Sequence, residues 1–467
     1  MCGGPRDPFV VDTEGWRATI LQEAVRRSPA QRRHLTDTPT GSPSSAAPSA
    51  SSGFGGRTFR SLRHRDFRVL WIGILIISSG QWLEQVAISW QVVELTSEFY
   101  WVGVIAAARA FPTLIITPIG GVLADRYDRT RVLATSQLGS ALCGAVLASL
   151  GFSHKLELWH LIAVSAGFGT LWSINNPNRH ALIPHLVPRQ DLMNAIALNS
   201  TGFNLTRSLG PAMGGLLLAA VGFSWVFTMV CAAYLMVLLT TLNIRTHTQT
   251  TTVAKESVLQ NLKTGLVYVR RNKTVATLVV MGWFIVVIGM PYFTMLALFA
   301  RDVYEVGERE YGFLLGCTGI GSIVASIYLA SRAQIRNPGT LQLAIGIVFG
   351  IGIIGFGLAP SFAWAVPGLI VAGAASMMYL SVNNTILQMI LPDAVRGRVM
   401  GLVMMQFGLM PLGSLVSTSV ADVIGLQATV IGMGAILAAA SLLAMRLLGD
   451  FRRLNLYEKL PEQHGTT

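Results

Sequence analysis

The sequence predicts an all-α membrane protein, with twelve transmembrane helices in two pseudo-symmetric six-helix halves. Composition is the first reason, because the 467 residues are 52% hydrophobic and only 12% charged, with a mean hydropathy of +0.54. Ordinary soluble domains are about 25% charged. The lengths of the apolar runs and an internal repeat are the second and third reasons.

Apolar runs of about 20 residues are long enough to cross the hydrocarbon core of a bilayer as helices. We identify twelve such runs, numbered here as spans 1 to 12, at 69–93, 100–124, 132–152, 158–176, 193–218, 223–244, 275–299, 311–330, 341–359, 364–390, 399–421 and 426–447. The run lengths therefore predict a multi-pass membrane protein.

Two short sequence features recur in the second half of the chain at nearly equal offsets. The segment 123–126, after span 2, is echoed by 329–332, after span 8, and the pair Asn175-Asn176 is echoed by Asn383-Asn384. This pattern indicates a duplicated six-helix unit. In transporters built this way, the substrate binds between the two halves near the membrane midplane.

The distribution of basic residues predicts the orientation in the membrane. From Arg63 onward, the connections on the side of residue 1 carry nearly all the Lys and Arg outside the spans, and the opposite side carries three, Lys155, Arg301 and Arg309. This is the positive-inside pattern, which places both termini in the cytoplasm. We expect the protein in the plasma membrane, the inner membrane of a bacterium, and we attribute the net charge of +12 to topology and not to nucleic-acid binding.

The chain divides into five predicted regions. Residues 1–62 are rich in Arg and then in Ser, Ala, Pro and Gly, with no apolar run long enough for a signal peptide, so we expect a disordered cytoplasmic extension. Organelle targeting and a start codon assigned too far upstream are alternative interpretations. Residues 63–244 and 275–448 are the two six-helix halves, and 449–467 are a cytoplasmic tail.

The connection between the halves, 245–274, is the longest inside the chain. It places four apolar residues on one helical face: Val258, Leu262, Leu266 and Val269. This spacing predicts a cytoplasmic amphipathic helix that links six spans to six.

A charged turn between spans 2 and 3 is the most specific motif in the chain. It contains Gly121, Asp125, Arg126, Arg129 and Arg131 in the pattern Gly-x-Leu-Ala-Asp-Arg-x-x-Arg-x-Arg. With the twelve spans and the duplication, this loop closely resembles the signature of the major facilitator superfamily. The resemblance covers about residues 63–448, and it departs from the family at Asp128, where Gly is usual.

This resemblance implies a gate at the cytoplasmic face. Asp125 would meet the positive N-terminal end of span 11, near Arg396, and would hold the halves closed on that side. The degenerate copy of the loop has Ser331 in place of Asp125, so we expect the latch in the N-terminal loop alone. A charged turn that serves only topology is the alternative.

Span 5 contains a second motif, with Gly210, Pro211, Gly214 and Gly215 in the order Gly-Pro-x-x-Gly-Gly. It matches the core of a motif associated with antiporters in this superfamily, although the upstream glycines are absent. Pro211 and the glycines predict a bend with a tight, leak-resistant helix contact. Glycine-rich packing without directional meaning is the alternative.

Three local segments resemble one branch of the superfamily, the enterobactin-exporter-like transporters or transmembrane secretion effectors. They are residues 65–71, the Asp125-Arg126-x-x-Arg129 form of the loop, and residues 194–199. The resemblance implies a secondary transporter that exports a siderophore, a drug or another secondary metabolite by alternating access. A nutrient importer of the same fold and a non-transporting membrane sensor or scaffold are the alternatives.

Three ionisable residues fall deep inside predicted spans: Glu84 in span 1, Arg109 in span 2 and Arg207 in span 5. Each costs at least about 2.5–3.5 kcal/mol to insert, so such residues are functional candidates. Their similar depth would allow them to meet in one cluster. Glu84 is the candidate proton carrier for proton-coupled antiport, and a permanent ion pair with Arg109 or Arg207 is the alternative. Span 4, as predicted, contains no charge, unlike that of many drug:proton antiporters.

Polar and aromatic residues within the spans are candidates for the wall of a substrate cavity, with ordinary packing as the alternative for each. The candidates are Gln81, Gln85, Trp172, Asn176, Tyr292, Tyr379, Asn383 and Gln406.

Several functions find no support in the sequence. The chain has no Gly-x4-Gly-Lys-Ser/Thr phosphate loop, no metal-ligand cluster and no nucleophile–base constellation, so we predict neither an ATPase nor any other enzyme, and no cofactor. Its cysteines, Cys2, Cys143, Cys231 and Cys317, have no paired spacing and are expected to be free, buried thiols. The expected partners are a small-molecule substrate, protons and the lipid bilayer, and we expect the protein to function as a monomer.

Overall fold

The computed structural model describes residues 59–244, 258–331 and 337–452, and within them helix is the only regular secondary structure. Most of the predicted extension 1–62, part of the linker and most of the tail lie outside the described residues. So do Arg332 and Arg336 of the repeated loop. Side chains 117–126 also lie outside the description, although their backbone is helical.

Fourteen helices are described. They are α1 (Arg65–Leu95), α2 (Tyr100–Arg126), α3 (Arg129–Phe152), α4 (Leu158–Leu186), α5 (Leu192–Leu242), α6 (Val258–Arg271), α7 (Lys273–Phe284), α8 (Tyr292–Leu298), α9 (Glu308–Ser331), α10 (Pro338–Gly357), α11 (Phe362–Ile390), α12 (Asp393–Ile424), α13 (Leu426–Leu447) and α14 (Gly449–Arg452). Short 3₁₀ turns, Arg60–Arg63 and Arg189–Asp191, precede α1 and α5, and π-helical turns, Ile285–Gly289 and Phe299–Val303, flank α8.

Nine helical segments among the described residues are long and apolar enough to cross a membrane. One of them, Arg189–Leu242, has 54 residues, and its backbone leaves the helical region at Gly222, where φ is 77°. Helix α5 therefore contains spans 5 and 6. Helices α2 and α4 are not among the nine segments, but their 27 and 29 residues coincide with spans 2 and 4. With them, the described chain accommodates all twelve predicted spans.

The two membrane faces can be told apart by the course of the chain. We call the face where α1 begins the near face and the face where α1 ends the far face. Three exposed tryptophans, Trp159, Trp225 and Trp364, lie at the far ends of α4, of the second part of α5 and of α11, with exposed fractions of 59%, 55% and 69%. Such amphipathic rings are typical of a membrane–water interface, so they mark the far boundary of the bilayer.

The packing of the helices follows the predicted duplication. In the first half α1 packs on α5, α2 on α4, and α3 on both α4 and α5; in the second half α10 packs on α11 and α13, and α9 on α11. The halves meet where α5 packs on α9 and where α2 packs on α12. Spans 5 and 8 and spans 2 and 11 therefore form the interface between the halves. In the second half, Gly425, with φ at 90°, separates α12 from α13 as Gly222 separates spans 5 and 6.

The described residues begin at Phe59, before the predicted boundary at residue 62. Ser61 is fully buried, and its Oγ donates to the carbonyl oxygen of Asp191 at 2.9 Å and contacts Oδ1 of Asn194 at 2.8 Å. The Asp191 carboxylate, only 3% exposed, also pairs with Arg60 at 2.9 Å and contacts His64 at 2.8 Å. These contacts tie the start of α1 to the turn between α4 and α5.

The linker helix α6 agrees with the predicted apolar face at Val269 but not at Leu266, and the side chains of Val258 and Leu262 lie outside the description. Tyr268 and Val269 are buried, whereas Leu266, which we predicted on the buried face, is 42% exposed. The reason is close packing on α12: a Cβ added to Gly265 would lie 3.0 Å from the carbonyl oxygen of Arg398. The contact therefore follows the i, i+3 and i+4 positions from Gly265.

Candidate functional site

Glu84 and Arg109 meet inside the first half. The Glu84 carboxylate is fully buried on α1, and Nη1 of Arg109, on α2, donates a hydrogen bond to its Oε1. The phenol of Tyr234, on α5, lies beside Glu84 and also beside Ser140 of α3. In the described part of the chain, Oε2 of Glu84 has no hydrogen-bond partner. The carboxylate thus has one charged partner and one unoccupied acceptor.

Arg109 also faces a cavity between the two halves. The cavity has a volume of about 60 Å³ and is lined by Trp82, Gln85 and Arg109 from the first half and by Phe293 and Tyr311 from the second. Trp82 meets Phe293 edge to face, with ring centroids 6.2 Å apart. The cavity has room for only a few water molecules, so the site is contracted here.

Arg207 does not join the predicted cluster. It lies on α5 beside Tyr292 of the second half. The direction of α5 explains this: Leu209 and Met213, with exposed fractions of 43% and 51%, form the outer face, while Gly210 packs on α1. Arg207 therefore faces the junction of the halves and not the Glu84–Arg109 pair.

Helix α4 contains a buried charge that the sequence analysis missed. The predicted span 4 ended at residue 176, but α4 continues to Leu186 with Pro177 inside it. Arg179 is 3% exposed; its Nη2 donates to Oδ1 of Asn176 at 3.1 Å, and its guanidinium carbon lies 5.4 Å from the centre of the Trp172 ring. Its Nε and Nη1 have no partner among the described residues. The expectation of a charge-free span 4 is therefore wrong.

The predicted cavity-lining residues of the second half lie inside that half. Tyr379, Asn383 and Gln406 are at most 1% exposed, and Nε2 of Gln342, on α10, donates to Oδ1 of Asn383 at 2.7 Å. Tyr292 is likewise only 2% exposed. These side chains are not on an open cavity surface in this conformation, because α10 and α11 pack together through them.

The predicted lining residues of the first half are more accessible. Gln81 is half-buried, Gln85 lines the cavity, and Trp172 and Asn176 contact Arg179. The repeated asparagines have corresponding partners in the two halves. Nδ2 of Asn175 donates to Oγ of Ser136 in the preceding span, and Oδ1 of Asn383 accepts from Gln342 in the preceding span of the second half.

The Gly-Pro motif of span 5 packs closely on two neighbours. A Cβ added to Gly210 would lie 2.6 Å from Cδ1 of Trp82 on α1, and one added to Gly215 would lie 2.1 Å from the Cα of Gly312 on α9. Helix α5 continues through Pro211, and its non-helical residue is Gly222. Real Cβ atoms do not approach so closely, so Gly210 allows α5 to pack against α1 within the first half and Gly215 allows the two halves to touch.

On the far face, hydrogen bonds join the two halves directly. Asp422, near the end of α12, accepts from the backbone N–H groups of Phe99 at 2.8 Å and Tyr100 at 2.9 Å, at the start of α2. Nη1 of Arg301, in the π-helical turn after α8, donates to the carbonyl oxygen of Thr96 at 2.8 Å. We call these contacts the far-face clasp. A carboxylate at a helix N-terminus is favourable because of the exposed N–H groups and the helix dipole.

The near end of α12 is less closely packed. A Cβ added to Gly397 or Gly401 would have no neighbour within 4 Å. Near the far end of the same helix, by contrast, the packing is close: a Cβ added to Gly103 of α2 would lie 2.2 Å from Oγ1 of Thr418. The contacts between the halves are therefore tight on the far side, with free space at the near end of α12.

The signature loop is a two-residue turn, because α2 ends at Arg126 and α3 begins at Arg129. Asp128 caps α3, accepting from the backbone N–H of Arg131 at 3.1 Å, which gives a physical reason for Asp where the family usually has Gly. Nη1 of Arg129 donates to the carbonyl oxygen of Ala181 at 2.9 Å and ties the turn to α4. The side chains of Gly121, Asp125 and Arg126 lie outside the description, so the Asp125 latch stays a prediction.

The three cysteines within the described residues are free thiols but are not equally buried, and Cys2 lies outside those residues. Cys317 is buried, whereas Cys143 and Cys231 are only half-buried. Within the described ranges, no group of three or more His, Cys, Asp or Glu side chains could hold a metal ion.

Comparison with known proteins finds the same relationship along most of the chain. Residues 56–463 match the sequence profile of a family described as transmembrane secretion effector. The staphyloferrin A transporter of Staphylococcus aureus is 26% identical over 357 residues, which are 76% of this chain and 89% of that protein. The enterobactin exporter EntS of Shigella boydii is 28% identical over 345 residues, 73% of this chain and 81% of that protein.

The fold resembles that of solved transporters. A bacterial homologue of the human lysosomal transporter Spinster, solved in an inward-facing and unoccupied conformation, has a TM-score of 0.64 at 15% identity. The similarity covers 83% of this chain and 98% of that chain. At this identity the similarity concerns the fold alone.

Proposed function

This chain belongs to the transmembrane secretion effectors of the major facilitator superfamily, and from this premise we propose that it exports a small organic molecule in exchange for protons. It is a multi-pass membrane transporter and not an enzyme. The two curated relatives are a transporter and an exporter of small molecules. We propose that the cargo here is a siderophore, a drug or another secondary metabolite.

We infer the direction of transport from the relative that is described as an exporter; the two faces of the structure also differ in how closely the halves pack. The far-face clasp and the glycine contacts hold the far side together, while α12 has free space at its near end. The positive-inside pattern supports a cytoplasmic near face. With that orientation, the present conformation is ready to load substrate from the cytoplasm. Both termini are then cytoplasmic, in a plasma-membrane protein that we propose works as a monomer.

The observation that supports proton coupling is the position of Glu84 directly behind a cavity-lining arginine. Glu84 is buried, and its partner Arg109 lines the space between the halves. A proton bound to the Glu84 carboxylate would remove its negative charge and release the Arg109 guanidinium towards the cavity. Loss of that proton would restore the pair. The protonation state of Glu84 would thus control the charge that the cavity presents, which is what an exchange of proton for substrate requires.

Export is tested by comparing the small molecules that cells retain and secrete with and without the protein. We expect at least one compound to move from the medium to the cell interior when the protein is absent, and to return to the medium when it is restored. Depletion of a compound from the medium by cells that contain the protein would favour an importer. No change across the whole set would argue for a sensor or scaffold.

Proton coupling is tested in everted membrane vesicles with the compound so identified. An acidic vesicle interior should drive its uptake, and a protonophore should stop it. Glu84→Gln should abolish the gradient-driven uptake, because the amide cannot carry a proton. Glu94→Gln is the matched control, because Glu94 lies near the far end of α1, where it accepts from Nε1 of Trp90 at 2.9 Å. Full gradient-driven uptake by Glu84→Gln would remove this residue from the coupling step.

A further inference from the structure

The membrane-spanning helices contain more buried cations than carboxylates. Among the described membrane-spanning helices, one acidic residue, Glu84, lies about two turns or more from both ends of its helix, against three basic residues, Arg109, Arg179 and Arg207. The other acidic residues of these helices lie within a turn of a helix end. The interior of the described helices therefore has an excess of positive charge.

The single deep carboxylate is already paired. Glu84 accepts from Arg109, which leaves Arg179 and Arg207 without an acidic partner in the described part of the chain. Guanidinium groups stay protonated in proteins. An unpaired charge in the low-dielectric interior of a membrane protein is costly and is typically retained for a functional reason.

Arg207 lies at the junction of the halves. On α5, Gly215 packs on Gly312 of α9, and the carbonyl oxygen of Ser208, next to Arg207, would lie 2.1 Å from a Cβ added to Gly319 of α9. The Arg207 guanidinium is also close enough to Tyr292 of the second half to interact with it electrostatically. Substrates of transporters with this duplicated architecture bind between the halves. Arg207 is thus a cation at the interface where such transporters bind their substrates.

We propose that the exported molecule is an organic anion at neutral pH and that Arg207 is the cation that binds its oxyanion between the halves. This inference rests on the proposed export function. A planar guanidinium matches a carboxylate or a similar oxyanion through two parallel hydrogen bonds.

Arg179 also favours an anionic cargo, although it lies within the wall of the first half. It is buried against α1, α3 and α5 in the wall of the first half, near Asn175, Gln137 and Thr241. Its charge adds to the positive potential of the interior, which attracts anions and repels cations. A cationic cargo would need an acidic partner, and Glu84, the only carboxylate deep in the helices that the structure describes, is held by Arg109.

The charge of the cargo can be measured before its structure is known. The compounds that disappear from the medium when the protein is absent are passed over anion- and cation-exchange resins at neutral pH. We expect them on the anion exchanger. Cargo that passes through both resins, or that binds only the cation exchanger, overturns the inference while leaving export intact. If no compound changes, the export function fails, and the inference fails with it.

The role of Arg207 is tested with two substitutions in the same cells. Arg207→Gln should lower export of the anion at least about tenfold, because a charge-assisted hydrogen bond at the binding site is lost. Arg207→Lys, which keeps the charge but cannot form both parallel hydrogen bonds, should retain clearly more activity than Arg207→Gln, and that activity also shows that the position tolerates substitution. Arg446→Gln, at an exposed position in the last turn of α13, is the control for removal of a cation elsewhere.

Each variant is compared at equal abundance in the membrane. Unchanged export by Arg207→Gln would overturn the assignment of this residue. Equal loss in Arg207→Gln and Arg207→Lys, with both variants folded, would also contradict a charge-based role.

Discussion

Replacing Asp422 with alanine is expected to weaken the closure of the far face. The Asp422 carboxylate accepts from two backbone N–H groups at the start of α2, Phe99 and Tyr100, across the boundary between the halves. Loss of such a capping acceptor costs about 0.5–2 kcal/mol, and the charge at the helix terminus adds about 0.3–1 kcal/mol. Because Asp422 is exposed, we take the lower part of this range, about 1 kcal/mol, which lowers the ratio of closed to open molecules about fivefold.

The assay is a distance measurement between the two halves at the far face. Lys155, between α3 and α4, and Ser361, before α11, are both exposed and can be replaced with cysteine and spin-labelled after the native cysteines are removed. Pulsed electron paramagnetic resonance should show mainly a short distance in the otherwise native protein. The Asp422→Ala variant should show a larger population at longer distance.

Controls separate this effect from a general loss of structure. Glu94→Ala removes another carboxylate near the far end of α1, but one that bonds within its own helix, so it should leave the distances unchanged. Arg301→Gln removes the other side-chain bond of the clasp and should act in the same direction as Asp422→Ala. A distance distribution in Asp422→Ala that matches the native one, in a protein of native thermal stability, would refute the role of the clasp.

Three further predictions concern other contacts. Asp125→Asn should reduce export far more than Ser331→Ala, because Asp125 is the predicted latch whereas Ser331 donates to a carbonyl of its own helix. Equal effects of the two substitutions in transport assays would contradict a latch confined to the N-terminal loop. Gly215→Leu should prevent closure of the far side, because the Cβ atom alone would lie 2.1 Å from a backbone atom of α9. Gly432→Ala is the control and should leave the distances unchanged in the same assay, because a Cβ at this position has no neighbour within 4 Å. Asp191→Ala should lower the free energy of unfolding by about 1 kcal/mol, because it removes the contacts of a buried carboxylate with the partly exposed side chains of Arg60 and His64; an unchanged melting temperature would show that these near-face contacts contribute little.

Buried charge was the most informative signal in the sequence. Glu84, Arg109 and Arg207 were expected to be able to meet because they lie at a similar depth in their spans, and the structure joins Glu84 and Arg109. Depth alone could not say which arginine pairs with Glu84. Arg207, at a similar depth, points to a different side of its helix, because the outward face is set by how α5 packs on α1 and α9.

Two features were not accessible from local sequence patterns. The end of α4 was placed too early because the Asn-Asn-Pro-Asn segment has the composition of a turn, whereas in a membrane bundle a helix can continue through proline. The far-face clasp has no sequence signature, because Asp422 binds backbone groups of residues more than 300 positions away. Polar residues such as Asn383 likewise look the same in sequence whether they line a cavity or pack between two helices.

The turns at Gly222 and Gly425 also affect how the protein can be built and handled. Each is a single glycine with positive φ between two long helices, a conformation that other residues rarely adopt. A one-residue connection keeps the ends of the two helices together. Spans 5 and 6, and likewise spans 11 and 12, would therefore enter the bilayer together as hairpins during biosynthesis. An epitope tag inserted at either glycine would have to break a helix pair, whereas the exposed connection around Lys155 could accept one.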